Sequence, residues 1–166
     1  MSQSPTPASA TPLPPLPGQY WPEQHGYYAG IQAPEDGNTG WLLILPDAPE
    51  CYFVDVIWGL YGEDVAGAVS EFDGLSNTLA MAAAGSDLAQ RIRALPDDCY
   101  LPSRNESALL YATCRAQIET GDWYLTSTQC SANDAWTQLF DHGLQTSGSK
   151  SYEGRARAVR RILLSA

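Results

Sequence analysis

Apolar positions along this chain cluster into short runs, and most of the runs have the length of a strand. Residues 26–33, GYYAGIQA, mix aromatics with glycines and read as a first strand. Asp36, Gly37, Asn38 and Gly40 follow as a turn. WLLILP at 41–46 is a continuous apolar run, predicting a strand buried on both faces. CYFVDVIW at 51–58 extends the aromatic and β-branched content, and residues 66–69 fit no single pattern. Near the other end, WYLTS at 123–127 and AWTQLF at 135–140 are short strand candidates. Asp141, His142 and Gly143 read as a hairpin turn, with LQT returning and SGSKSYEG as a polar loop. RARAVRRILL at 155–164 sets Arg155 and Arg157 against Ala156 and Ala158 with a period of two, as one strand would.

Helical spacing appears twice. Residues from about 77 to 94 predict a first helix with a break at Gly85-Ser86, Asp87 capping its second piece and Arg91 and Arg93 near its end. Ser103 and Glu106 have the spacing of a capping box for a second helix. Its inward stripe is read as Leu109, Ala112 and Ala116, with Tyr111, and Gly121 ends it. Ahead of these elements, residues 5–17 contain six prolines in thirteen positions. Residues 1–17 therefore read as a semi-rigid tail or tether, and 18–166 as one domain.

Composition narrows the class. A chain of 166 residues fits one domain with one modest core. The net charge of −10 disfavours nucleic acid and anionic membranes as partners. The charge is uneven: residues 1–90 carry 11 carboxylates and no Lys or Arg, so all 9 cations lie beyond them. No apolar stretch is long enough to predict membrane insertion, and the first residues lack the basic and apolar regions of a standard signal peptide.

Several residues invite a chemical reading. Ser103 and Glu106 serve as a helix cap or, in a sharper reading, as a catalytic pair; neither His25 nor His142 stands in a legible relation to that serine. Trp123, Tyr124 and Trp136 belong either to the core of a small sheet or to a stacking surface for sugar rings or partner side chains. Asn133, Asp134, His142 and Tyr152 join them as candidate binding-surface residues. Arg155 and Arg157 read as a solvated strand face. Arg160 and Arg161 point opposite ways, one toward a buried or interfacial carboxylate within the domain or across a subunit interface. Asn77, Asp87, Asp97, Asp98, Asn133 and Asp134 could supply oxygens to calcium, although their spacing matches no calcium loop; otherwise no cofactor is expected. The four cysteines form no CxxC pair, which argues against zinc.

Three blocks of the chain resemble the small domain of bacterial Lcl-type adhesins and phage tail-fibre or tail-tip proteins. They are GYYAGI with WLLILPDAPE, GLSNTLAMAAAGSD with YLPSRNESALLY, and the segment from GDWYLTSTQC to RARAVRRI. The last is the most specific, with Trp-Tyr, Ser-Thr, Ala-Trp, a turn glycine, Lys-Ser and Arg-x-Arg-x-Val-Arg in order. The resemblance implies an α+β, C-type lectin-like fold: a single domain with one small antiparallel sheet joining the chain ends, two helices and long loops. It also implies a non-enzymatic component of a phage tail, fibre tip or baseplate, located in the virion and assembled in the host cytoplasm. Its role would be host receptor recognition or adhesion. Expected partners are other tail or fibre proteins, a host surface glycan or protein, and further copies of the chain, as in a trimer. A structural virion protein or cap that grips a fibre partner is one alternative, and an adhesin-like carbohydrate-binding module is another. Cys99 and Cys130 stand where the family carries aromatics, which makes them a candidate disulfide.

Overall fold

A computed structural model describes residues 13–164. The first five strands are β1 (Tyr20–Trp21), β2 (Gly26–Gln32), β3 (Trp41–Pro46), β4 (Tyr52–Val56) and β5 (Tyr124–Gln129). They are followed by β6 (Asp134–Gln138), β7 (Gln145–Ser149), β8 (Gly154–Arg157) and β9 (Arg160–Leu163). The helices α1 (Gly74–Ala83), α2 (Asp87–Arg93) and α3 (Arg104–Cys114) all lie between β4 and β5.

The strands form two sheets. One has four strands in the order β1-β2-β3-β9 and is antiparallel throughout. The other has five in the order β4-β8-β5-β6-β7, with β5 and β8 parallel and the remaining pairs antiparallel. The expectation of a single small antiparallel sheet with two helices, drawn from the C-type lectin-like resemblance, is therefore corrected: the described residues form two sheets with mixed strand directions and three α-helices.

Two local causes account for the difference. The region read as one interrupted helix is two, because Gly85 adopts φ +102° and Ser86 caps a new start by accepting from Ala89 N. Ser86 takes the capping place that the sequence suggested for Asp87. The arginine-rich segment read as one strand is also two. Ala158 N donates to Cys51 O at 2.8 Å and Val159 N to Tyr100 O at 2.9 Å, so the chain leaves the larger sheet after Arg157 and enters the smaller one at Arg160.

The core lies on both sides of this crossing. Trp58, Met81, Leu88, Ile92, Leu101 and Leu125 fill the space between the larger sheet and α1 and α2. Leu43, Leu45, Tyr100, Leu110, Tyr124 and Phe140 fill the space beside α3. Each such side chain removed from water contributes about 1.5–3 kcal/mol. The buried stripe of α3 is Glu106, Leu110 and Cys114, whereas Ala112 and Ala116 are exposed, and the helix ends at Cys114, well before Gly121.

Glu106 is the polar centre of the assembly. It completes the capping box, with Ser103 Oγ accepting from Glu106 N at 3.2 Å and Ser103 N donating to Glu106 Oε2 at 2.8 Å. Trp41 Nε1 and the Tyr100 hydroxyl donate to Oε1 at 2.9 and 2.6 Å, and Gly74 N donates to Oε2 at 3.2 Å. One carboxylate thus joins β3, the segment before α3, and the first turns of α1 and α3. Gly74 is required there, since a Cβ would sit 2.6 Å from Leu101 O and 2.7 Å from Ser103 N. Burial pushes the Glu106 carboxyl up, while the hydrogen bonds from Ser103, Tyr100 and Trp41 pull it back.

Of the 17-residue tail, residues 1–12 lie outside the described residues. Residues 13–19 run to a turn in which Gln19 N donates to Leu16 O, and Gly18 N then donates to Tyr28 O at 2.7 Å. Leu13 and Leu16 project into solvent.

Candidate functional site

The pleat of β5 sorts its aromatic neighbours. Tyr124 pairs with Gln138 and Leu125 with Thr137, so alternate residues face opposite sides of the larger sheet. Tyr124 turns into the core, 3% exposed, where its ring meets Phe140 edge-on at 5.0 Å. Its hydroxyl donates to Glu119 O at 2.8 Å and lies 2.6 Å from the Tyr52 hydroxyl. Burial pushes the Tyr124 phenol up. Of the two readings of Tyr124, core or stacking surface, this inward position matches the core and not the surface.

Trp123 and Leu125 belong to the other side. With Thr137, Thr146, Gly148 and Tyr152 they line a groove of about 280 Å³. Its floor depends on two glycines. A Cβ on Gly154 would meet Trp123 O at 2.9 Å, and one on Gly148 would meet Thr137 Cγ2 at 3.3 Å. Thr137 Oγ1 donates to Thr146 O at 2.9 Å, and Thr146, Ser147 and Ser149 line the strand edge beside it. Tyr152 is 70% exposed and stands over this floor as a wall.

The turn that carries Tyr152 is anchored from beneath. Tyr152 N donates to Ser149 O at 3.1 Å, and the Ser149 and Ser151 hydroxyls are 2.8 Å apart. Lys150, between them, points inward and is fully buried. Its Nζ donates to Gln129 Oε1 at 2.7 Å and to Glu63 O at 2.8 Å, and lies 4.4 Å from the centre of the Trp58 ring. Gln129 in turn donates to Asp64 Oδ1 at 2.7 Å and accepts from Val65 N at 2.9 Å. Burial lowers the Lys150 ammonium from its ordinary value, and Asp64, Glu63 and Asp134 oppose that shift.

The groove combines two aromatic side chains, an aliphatic floor and a rim of hydroxyls. Glu153 is its single charged lining residue, and no Lys, Arg, His or Cys lines it. Such a lining can stack against the face of a ring and hydrogen-bond to its substituents. It disfavours an anion.

The other candidates lie elsewhere. Trp136 pairs with Ser147 on β7 but faces away from the groove, and the Arg104 guanidinium stacks 3.5 Å from its ring centre. Arg104 also pairs with Glu71 at 2.9 Å. Asn133 and Asp134 sit at the β5–β6 turn, with Asn133 O accepting from Lys150 N at 2.8 Å. His142 is in the loop at the opposite end of β6, 3.7 Å from Asp141. Among the described residues, no group of three or more His, Cys, Asp or Glu is placed to hold a metal ion. Asn77 is buried, and its amide is used by Ser70 and Ser127.

The four arginines also separate. Arg155 is paired with Glu119 at 2.9 Å and Asp122 at 3.5 Å, and its Nη1 donates to the Tyr52 hydroxyl at 3.2 Å. Arg157 is buried, donating to Gln117 O at 3.0 Å and Pro46 O at 3.2 Å. The expected solvated face is thus corrected at Arg157, which is buried against neighbouring loops, whereas Arg155 stays partly exposed and pairs with surface carboxylates. Arg160 donates to both the backbone and side-chain oxygens of Gln24. Arg161 points inward and pairs with Asp73 at 2.9 Å, beside the rings of Trp41 and Tyr100.

Cys99 and Cys130 do not form the expected disulfide. Both are free thiols: Cys99 is buried with Cys51, while Cys130 is exposed on the turn after β5.

No family model matches this chain, and no curated protein matches it. No helix among the described residues is long and apolar enough to cross a membrane.

Apart from Trp123 and Tyr152, the groove residues lie outside the sequence reading, Leu125, Thr137, Thr146 and Glu153 among them. The period-two alternation of WYLTS carried a usable signal, because it places Trp123 and Leu125 on one side and Tyr124 on the other. QTSGS carried none, since a polar strand with an internal glycine resembles a loop.

Proposed function

We propose that this chain is a non-enzymatic recognition component of a phage tail, at a fibre tip or baseplate, and that the Trp123–Tyr152 groove contacts a receptor on the host surface. The observation that carries the reading is the exposed Tyr152 ring beside Trp123, over a hydroxyl-rimmed floor with no cationic lining. Aromatic surface held on a rigid turn loses little side-chain entropy on binding, and Lys150 supplies that rigidity. A neutral saccharide ring on a host glycan suits this lining better than a phosphorylated or carboxylated one. The likeness of the third sequence block to tail-tip proteins supports the setting, a virion in which several copies act together.

The test is binding of the purified full chain to host cells and to a panel of neutral and acidic glycans. Tyr152→Ala should weaken binding roughly tenfold or more, as loss of a stacked ring does. Tm should stay within about 1 °C, because the ring is solvent-facing. Equal binding by Tyr152→Ala and by Trp123→Ala would remove the groove from the reading.

One observation favours a second role, in assembly. The tail leaves the body at a fixed point, Gly18, whose Cβ position is closed by Thr113 O, and it carries exposed Leu13 and Leu16. Deleting residues 1–17 should abolish incorporation into particles if the tail tethers the domain to a fibre partner. Normal incorporation of the truncated chain sinks that role.

A further inference from the structure

Cys51 closes the turn that leads into β4, and Cys99 follows the turn at 96–98. They share one core cluster, 4% and 2% exposed. Their backbones are held side by side by two consecutive residues, since Cys51 O accepts from Ala158 N and Tyr100 N donates to Val159 O, both at 2.8 Å. Arg93 Nη1 adds a hydrogen bond to Cys99 O at 2.8 Å. The Cys99 thiol itself donates to Pro96 O at 3.3 Å. Neither remaining cysteine is in place to compete: Cys114 lies in the other core cluster and Cys130 is on the surface.

The pair is also reachable. Both thiols line one cavity of about 80 Å³, together with His25, Glu50, Asp97 and Arg160. That volume admits a molecule of two or three heavy atoms and excludes a peptide disulfide. We propose that Cys51 and Cys99 form an oxidation site, which a small peroxide entering this cavity closes to a disulfide.

The neighbours set the order of events. The neighbouring Cys99 thiol holds the Cys51 thiol below its ordinary value, and Arg157 and Arg160 act in the same direction against burial and Glu50. The neighbouring Cys51 thiol, with burial, pushes Cys99 up. With the Cys99 proton held on Pro96 O at 3.3 Å, Cys51 is the attacking thiolate. Its sulfur bonds to one peroxide oxygen, the O–O bond breaks, and the departing hydroxide takes a proton to become water. Cys51 is then a sulfenic acid. The Cys99 sulfur, giving up its proton, attacks the Cys51 sulfur; the S–S bond forms, the S–O bond breaks, and the second hydroxide leaves as water with that proton. Two thiols lose two electrons in total, and one peroxide becomes two waters. The new bond closes the chain from 51 to 99, which contains α1, α2 and the long connection between β4 and α1.

The experiment uses the full chain with Cys130→Ser, so that the exposed thiol cannot join two copies. The protein is treated with hydrogen peroxide, quenched, and assayed under denaturing conditions for free thiols, intact mass and linked peptides. The expected result is a fall from three free thiols to one, a mass loss of about 2 Da and a peptide linking Cys51 to Cys99. Tm should rise by roughly 5–15 °C and return on reduction, as closure of a long loop requires. Cys51→Ala in the same background should abolish the mass loss and the rise in Tm. Retention of three thiols, oxygen addition without a crosslink, or a crosslink to Cys114 would each overturn the proposal. Should Cys51→Ala fail to fold, the mass and peptide map of the parent decide the matter alone.

Discussion

Two ionisable side chains, Glu106 and Lys150, are fully buried in different halves of the molecule and are satisfied very differently. Glu106 receives four hydrogen bonds, two on each oxygen, from a tryptophan, a tyrosine and two backbone amides. Lys150 has three donor hydrogens and finds two oxygen acceptors, with the Trp58 ring beside the ammonium. Each is displaced from its ordinary protonation equilibrium by burial, Glu106 upward and Lys150 downward. The difference teaches that burying a charge does not by itself set its structural weight. What matters is how many of its hydrogen-bonding positions are filled, and how many chain segments the partners belong to.

The comparison breaks most visibly at Glu106. Glu106→Gln keeps the shape but presents an NH₂ to two groups that themselves donate, leaving buried donors unpaired. The expected loss is about 3 kcal/mol of folding stability. In a urea titration this is a lower midpoint with an unchanged slope. A loss under about 1 kcal/mol would mean that the four hydrogen bonds do not hold the helix starts together. Groove binding measured well below the new midpoint should be retained, because Glu106 lies among α1, α3 and β3 and not under the Tyr152 turn.

Lys150→Met should cost less, about 1–2 kcal/mol: the apolar stem is replaced, and of the two acceptors that lose the ammonium, Gln129 Oε1 keeps its bond from Val65 N. Its effect on binding should be larger than its effect on stability, since the Tyr152 turn loses its anchor. The pH dependence follows from the depressed folded value. Between that value and the ordinary 10.5, the unfolded chain holds a proton that the folded chain has released, so stability rises with pH. Stability of the parent relative to Lys150→Met should therefore increase as pH rises above the depressed folded value toward about pH 10. A constant difference across that range would show that Lys150 titrates alike in both states.

The same two residues mark what the amino-acid order made legible. The Ser103–Glu106 spacing announced a cap, and the structure has one. The spacing could not announce that Trp41 and Tyr100 converge on the same carboxylate, because those contacts depend on how distant segments pack. Lys150 sits in a polar run that reads as loop, and only the fold turns it inward while Ser149 and Ser151 stay outside. The apolar run at 41–46 was readable as a strand because its pattern alone requires burial. The arginine-rich segment was readable as extended, but its division between two sheets rests on the bridges from Ala158 and Val159 to remote backbone. The sequence marks Trp123 and Tyr152 as surface candidates without a partner set, since the glycines that open their groove act through tertiary contact.

A third buried charge sharpens the ordering at its weak end. Arg157 carries five donor hydrogens, and two backbone oxygens accept from it. Among the described residues, its Nε is the buried side-chain nitrogen or oxygen left without a partner. Burial lowers its guanidinium from the ordinary value, and no carboxylate pairs with it directly. Its ring neighbour Tyr52, 5.0 Å away, offers attraction without filling a hydrogen-bonding position. Arg157→Met removes an incompletely satisfied cation and keeps most of the apolar stem. If filled positions govern the weight of a buried charge, that substitution should change stability by less than about 1 kcal/mol in either direction. The loss should also be smaller than for Lys150→Met under the same conditions. A loss equal to that of Glu106→Gln would show instead that the two backbone contacts, which tie β8 to the end of β3 and to the segment after α3, outweigh the orphaned nitrogen.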